Sequence, residues 1–177
     1  DRHNTVDDRP YGGGTGMVLM VEPFYKAISE LRTKDSRVTL MTPQGNPYKQ
    51  SVAKRLSGLS HIILIAGHYE GYDERIRENL VDEEISMGDF VLTGGEIPVM
   101  AIVDSMVRLI PGVLEKDDAT VKESFSENLL EYPQYTRPEV FNKWKVPEIL
   151  LSGDHAKIEK WRKDKSVEKT KIRRPDL

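Results

Sequence analysis

The feature that most constrains this chain is the run His61, Ile62, Ile63, Leu64, Ile65, Ala66. It is too short for an ordinary helix and apolar at consecutive rather than alternate positions, so it reads as a strand with both faces hidden. Strands of that kind belong to parallel sheets covered by helices. The flanking pattern agrees. A helix is predicted over 22–31, with Pro23 tolerated in its first turn. A short strand over 38–41 gives way to a loop at 42–47 that Pro43 and Pro47 keep extended. A second helix is predicted over 50–56, with Gly58 suited to a left-handed C-terminal position. After the apolar strand come a loop, a helix over 73–80 with an acidic first turn, and a short strand over 84–86. Residues 96–110 read as a long helix, apolar nearly all round except at Asp104 and Arg108, and stopped by Pro111 and Gly112. Such a helix is expected to be buried on most sides, and in a chain of 177 residues a subunit interface is a natural place for it.

Further on the pattern changes. Residues 115–128 are polar and unpatterned, as in a linker or mobile loop. Beyond Pro133, Pro138 and Pro147 a basic helix starts near 154, with Ser152 or Asp154 as its N-cap. The expected architecture is therefore an α/β domain over 1–114, its parallel sheet covered by helices, then a flexible linker over 115–131 and a small helical domain over 132–177. Charge divides the same way. The net charge is −3, yet residues 154–177 carry 9 basic and 5 acidic side chains while residues 1–153 carry 17 and 24. An acidic body with a basic tail suits a polyanionic partner; on charge alone, a solvated lysine-rich helix is the plainer reading.

Several chemistries are excluded or disfavoured. Without cysteine there is no disulfide framework, thiolate nucleophile or cysteine-ligated metal, which fits a cytoplasmic protein. His3, His61, His68 and His155 are scattered with no ligand spacing, so no metal site is expected. No apolar run is longer than that at 62–66, which is far short of the ~20 residues that a membrane helix needs. No secretory segment is visible, and the opening Asp1-Arg2-His3-Asn4 suggests that the true start lies upstream. Three glycine-rich loops, 12–16, 67–71 and 88–95, sit at predicted strand ends, where open sheets bind ligands. None has the dinucleotide fingerprint or a P-loop. Asp104 and Arg108, spaced i, i+4, are either an internal ion pair or a sign that Arg108 projects into a site.

Taken together, the segments DRPYGGGTGM (8–17), LMTPQGNPY (40–48), GHYEGYDERI (67–76), EISMGDFVLTGGEIPVMAIVDSMVRLIPGVL (84–114), LLEYPQYTRPEVF (129–141) and VPEILLSGDHAKIEKWR (146–162) closely resemble the bacterial tRNA (guanine-N1)-methyltransferase family, in order and over essentially the whole chain. Family members begin with a further strand and helix, so the resemblance implies that this chain lacks its first few dozen residues. It also implies a trefoil-knotted (SPOUT-type) α/β fold, an obligate homodimer with active sites at the interface, and S-adenosylmethionine as methyl donor. The donor-binding positions carried over are Leu40, Met41 and Pro43 in the first knot loop, and Gly67, Tyr69 and Glu70 in the second. In the third they are Ser86, Met87, Gly88, Asp89, Phe90, Val91, Leu92, Gly94, Gly95 and Pro98. A side chain at the glycines would take the donor's volume.

The reaction implied is methylation of guanine N1 at position 37 of tRNA, 3′ of the anticodon. N1 carries a proton in neutral guanine, so a general base must remove it, and a cation helps as negative charge spreads toward O6. The cation maps to Arg108. The family's aspartate base maps to Glu123, a departure that moves the carboxylate by roughly 1.5 Å, when a misplacement of about 1 Å can cost ~10²-fold in rate. His68 stands where many relatives have arginine, and Asp154 replaces a common asparagine, which suggests a helix cap rather than an RNA contact. Flipping the base out costs a few kcal/mol, and the grip on tRNA is assigned to Ser152, His155, Lys157, Lys160 and Arg162, with Arg173 and Arg174. Magnesium is associated with the family, although no ligand cluster is visible here. The competing expectations are a knotted methyltransferase acting on another nucleoside position, such as a ribose 2′-hydroxyl, and an RNA-binding module without turnover.

Overall fold

The structure, a computed structural model, describes residues 5–114 and 123–177; residues 115–122, the first part of the predicted linker, lie outside the described residues. The chain divides into two compact units between Val113 and Leu114.

The first unit is built on three parallel strands, β3 (Ser36–Pro47), β4 (His61–Ile65) and β5 (Glu83–Ser86), in the order β4-β3-β5. Helices α1 (Val21–Leu31) and α3 (Glu74–Leu80) pack on one face, α2 (Gln50–Ser57) and α4 (Glu96–Val107) on the other. The alternation of strand side chains explains the double coverage. Val38, Leu40, Ile63 and Ile65 join Ile28, Ile76 and Leu80 on the first face. Met41, Ile62, Leu64 and Ile85 join Leu56, Ile102 and Met106 on the second. Ile76 and Ile102 are completely buried, so truncating either to alanine would cost about 2–5 kcal/mol. Ahead of the sheet, β1 (Asp7–Asp8) and β2 (Val18–Leu19) form a small antiparallel pair that the sequence did not signal.

Three expectations need correction. The strand predicted to end at Met41 pairs with β5 a second time: Thr39 to Met41 lie opposite Glu83 to Ile85, and after an excursion Asn46 and Pro47 lie opposite Ile85 and Ser86. Gly45 is pressed against that strand, where a Cβ would stand 2.5 Å from the Glu84 carbonyl carbon and the Ile85 nitrogen. Gly58 is not left-handed; at φ −88° it simply ends α2 in right-handed geometry. And α4 stops at Val107 rather than continuing to Ile110; within the single chain it buries Ile102 and Met106, with Val99 packed against them, while Ile97 and Met100 on the other side are about 60% exposed. Asp104 is exposed and Arg108 half-buried, so the two are not an internal pair.

The second unit holds a two-stranded hairpin, β6 (Val140–Phe141) and β7 (Trp144–Lys145), a short helix α5 (Glu148–Leu151) and the long α6 (His155–Arg173). The hairpin went unforeseen because its turn residues, Asn142 and Lys143, both take left-handed φ (46° and 68°), and lysine does not advertise that conformation. Asp154 is the N-cap of α6, its Oδ1 accepting from the Lys157 N–H at 3.1 Å, so the capping role expected of it is observed. Buried positions on α6 recur at Ile158, Ser166 and Thr170.

Candidate functional site

Three loops leave the carboxyl ends of β3, β4 and β5 and enclose a cavity of about 410 Å³. This is the edge of a parallel sheet where ligands collect, and the volume falls in the range of small-molecule sites. The excursion of β3 contributes Leu40, Met41 and Pro43, the loop after β4 contributes Gly67, Tyr69 and Glu70, and the loop after β5 contributes Ser86, Met87, Gly88, Phe90, Val91, Leu92, Gly94 and Gly95, with Pro98 from the start of α4. Every donor-binding position named from the sequence lines the cavity except Asp89, which is exposed. Leu40 and Met41 are 1% and 5% exposed, their side chains committed to the two cores, so only their backbone can meet a ligand. The glycine run 12–14 does not line the cavity; it sits in the loop between β1 and β2 with positive φ, and Gly12 and Gly13 have open space around them. Gly16, at the end of that loop, abuts the Glu70 side chain.

The glycines of the cavity have a reason other than donor volume. A Cβ on Gly67 would fall on the Tyr72 hydroxyl, and one on Gly95 would stand 2.6 Å from the Gly67 nitrogen. The Gly95 N–H also donates to the Gly67 carbonyl at 2.8 Å. The loops after β4 and β5 therefore meet backbone to backbone, which only glycine allows. Gly88, at φ +144°, is held from both sides by Ser86, whose Oγ accepts from its N–H and donates to its carbonyl, each at 3.2 Å.

Tyr72, which the sequence reading passed over, braces two of the three loops. Its hydroxyl donates to the Met41 carbonyl at 3.1 Å, and its ring meets Phe24 edge-on. Burial, with a smaller contribution from the Glu96 charge, pushes the hydroxyl up to about 12, so it stays protonated and donates at any ordinary pH. A tyrosine in a motif of loop residues gave no sign that it turns inward. The His68 imidazole and the Glu96 carboxylate meet over Gly94 at the cavity mouth. Arg77 of α3 also lines the cavity, paired with Glu74 and, at 3.4 Å, with Glu84; the Glu74 carboxylate raises its pKa further. Its i, i+3 spacing from Glu74 was visible in sequence but reads as an ordinary helix-surface pair.

The two residues assigned to the chemistry lie in different units. Arg108 follows the last turn of α4, half-buried. Glu123 is half-buried in the second unit, where it lines a smaller cavity of about 220 Å³ with Tyr132, Glu159, Arg162, Lys163 and others. Of the residues assigned to RNA, Ser152, His155, Lys157 and Lys160 are exposed around the start of α6, and Lys157 is paired with Asp154 at 2.9 Å. Arg162 lies over the Tyr132 ring at 4.9 Å and is paired with Glu159 at 2.7 Å, an arrangement that already engages its guanidinium. Among the described residues no group of three or more histidine, aspartate or glutamate side chains could hold a metal ion, and no helix is long and apolar enough to cross a membrane.

A family profile described as tRNA (Guanine-1)-methyltransferase TrmD matches residues 1–177. A protein of Brevibacillus brevis is 58% identical over 177 residues, covering 99% of this chain and 73% of its own length. Relatives from Staphylococcus carnosus and Bacillus subtilis are each 56% identical, covering all of this chain and 73% and 74% of their own lengths. All three are named tRNA (guanine-N(1)-)-methyltransferase. With motifs, sheet and profile agreeing from end to end, the chain belongs to the tRNA (guanine-1)-methyltransferase TrmD family.

Proposed function

We propose that this chain methylates N1 of guanine at position 37 of tRNA, using S-adenosylmethionine, as a cytoplasmic homodimer. The observation that carries the reading is the cavity at the sheet edge, assembled from the three loops that hold the family motifs. It fits the donor in kind: backbone groups of Met87, Gly88, Phe90 and Leu92 suit a purine edge, Gly67, Gly94 and Gly95 leave room beside them, and Glu70 offers a carboxylate to a polar tail. When bound, the donor supplies a methyl group made electrophilic by its sulfonium. The loops hold it and exclude water. Glu123 removes the N1 proton, and Arg108 offsets the charge that appears on O6. Exposed lysines at the start of α6 engage phosphates, with a salt-dependent contribution. The double pairing of β3 with β5, with Gly45 pressed on the β5 backbone, supports a knotted chain path. The apolar outer face of α4, Ile97 and Met100 foremost, supports a dimer interface.

The test is transfer of a tritiated methyl group from S-adenosylmethionine to a tRNA transcript with guanine at position 37, followed by nucleoside analysis. Label in 1-methylguanosine is expected. Label in a 2′-O-methylated ribose would replace the reading with the ribose-directed one, and tRNA binding without transfer would leave an RNA-binding module.

A further inference from the structure

Residues 123–131, read from sequence as the end of a flexible linker, form a closed loop seated on α6. The Ser126 N–H donates to the Glu123 carbonyl at 3.2 Å, the Phe125 N–H to the Leu129 carbonyl at 2.8 Å, and the Glu131 N–H to the Ser124 hydroxyl at 3.0 Å. Phe125 and Asn128 take left-handed φ to allow these closures. Where Glu123 stands is thereby geared to where Leu130 is held. We propose that Thr170 is the positioning residue that holds it, anchoring this loop to α6 so that the Glu123 carboxylate is presented in one place. The proposal rests on Glu123 being the base.

The Leu130 N–H donates to Thr170 Oγ1 at 2.8 Å, and the Thr170 hydroxyl donates to the Ser166 carbonyl, one turn back, at 2.7 Å. Thr170 is 5% exposed. Both bonds leave its hydroxyl no freedom: the proton points down the helix, and the lone pair it leaves facing outward is the one that takes the amide. A β-branched hydroxyl residue within a lysine-rich helix has no propensity reason to be there, and its back-bond to the helix carbonyl is if anything unfavourable. The loop contact supplies the reason. Further attachments among the described residues are less buried: Lys169 Nζ to the Glu131 carbonyl at 2.9 Å is half-buried, and Lys163 to Glu127 at 2.6 Å and the Arg174 guanidinium over the Phe125 ring at 5.6 Å lie at the surface. Exposed ion pairs hold geometry poorly, which leaves Thr170 as the buried pin. A mobile loop could not compensate for the extra methylene of glutamate with any consistency; a pinned one can be built around it.

The experiment compares full-length Thr170→Val, which keeps the shape and removes both bonds, with Thr170→Ser, which keeps the hydroxyl. Single-turnover methyl transfer to the guanine-37 transcript should slow about tenfold or more in Thr170→Val. Donor affinity by calorimetry and KM for tRNA should stay within about twofold, since neither contact depends on base placement. Amide exchange at Leu130 should quicken, and Thr170→Ser should recover both rate and protection. An unchanged rate in Thr170→Val, unchanged Leu130 exchange, or a serine variant as slow as the valine one would each overturn the proposal. If Thr170→Val does not fold, Thr170→Ala, which removes the same two bonds without placing a second methyl against the Ser166 carbonyl, is read the same way: slower transfer with faster Leu130 exchange supports the pin, and an unaltered rate removes it. Failure of the underlying reading looks different: Glu123→Gln would then turn over normally, whatever Thr170 does.

Discussion

In the first unit Gly67 and Gly95 touch backbone to backbone, whereas in the second Glu127 and Lys163 meet at the tips of two exposed side chains. The cavity at the sheet edge is defined by what its loops lack: without Cβ atoms they close on one another, and at Gly95 an added Cβ would meet only backbone, which cannot yield as a flexible side chain would. The surface around α6 is defined by what its residues carry, and most of its charges are paired locally in exposed positions, as Lys157 with Asp154 and Lys165 with Glu168. A site made by close backbone approach has little slack and is insensitive to salt. A site made by surface charge tolerates substitution and weakens as salt is added. That division suits an enzyme that must shape one small donor tightly and grip a long polyanion loosely.

The sharpest way to break the contrast is to ask whether chemistry can be removed without disturbing the cavity. Glu123→Gln should lower turnover by about 10²-fold or more while donor binding by calorimetry is retained. Arg108→Ala should cost a similar ~10²-fold in the methyl-transfer rate with donor affinity little changed; loss of rate and affinity together would make Arg108 a structural residue. Next in size is Gly95→Ala. Its Cβ would meet the Gly67 backbone at 2.6 Å, so a loss of about 1–3 kcal/mol in stability is expected, with weakened donor binding. Wild-type thermal unfolding for this variant would end the claim that the first unit has no slack.

Smaller effects sharpen the picture. Tyr72→Phe removes the bond to the Met41 carbonyl at a net cost of about 1 kcal/mol. It also carries a pH signature. Burial raises the Tyr72 hydroxyl to about 12, so the folded state keeps a proton that the unfolded chain releases near 10. That contribution is complete below about pH 10 and is lost as pH rises through about 12. Urea unfolding across this range should show a drop in the wild type that flattens in the phenylalanine variant. Asp154→Ala, on the charged side of the comparison, should lower the melting temperature slightly at neutral pH. Lys157, through its ammonium and its N–H, holds the Asp154 carboxyl below the usual range. The difference between the two proteins should therefore vanish as acid protonates Asp154, and a difference that persisted at low pH would mean the cap does not act through its charge.

Glycine punctuation located two of the three cavity loops, 67–71 and 88–95, although its third candidate, 12–16, lies outside the cavity; the consecutive apolar run identified a doubly covered strand, and the motifs in their order pointed to the family, because each of these signals is local in the chain. The second pairing of β3 with β5 could not be read, since it depends on which strand comes to lie beside Asn46 and Pro47. Nor could the inward turn of Tyr72 or the seat of residues 123–131 on Thr170, which join positions 31 and 40 residues apart. The meaning of the glycines shifted for the same reason. Sequence showed that side chains are missing at 67 and 95, but only the folded chain shows that backbone, rather than empty space for a ligand, fills the gap beside Gly95. Local composition determines where a backbone can bend and which faces seek burial; which bend meets which is decided by long-range packing, where a difference of one Cβ is enough to keep two loops apart.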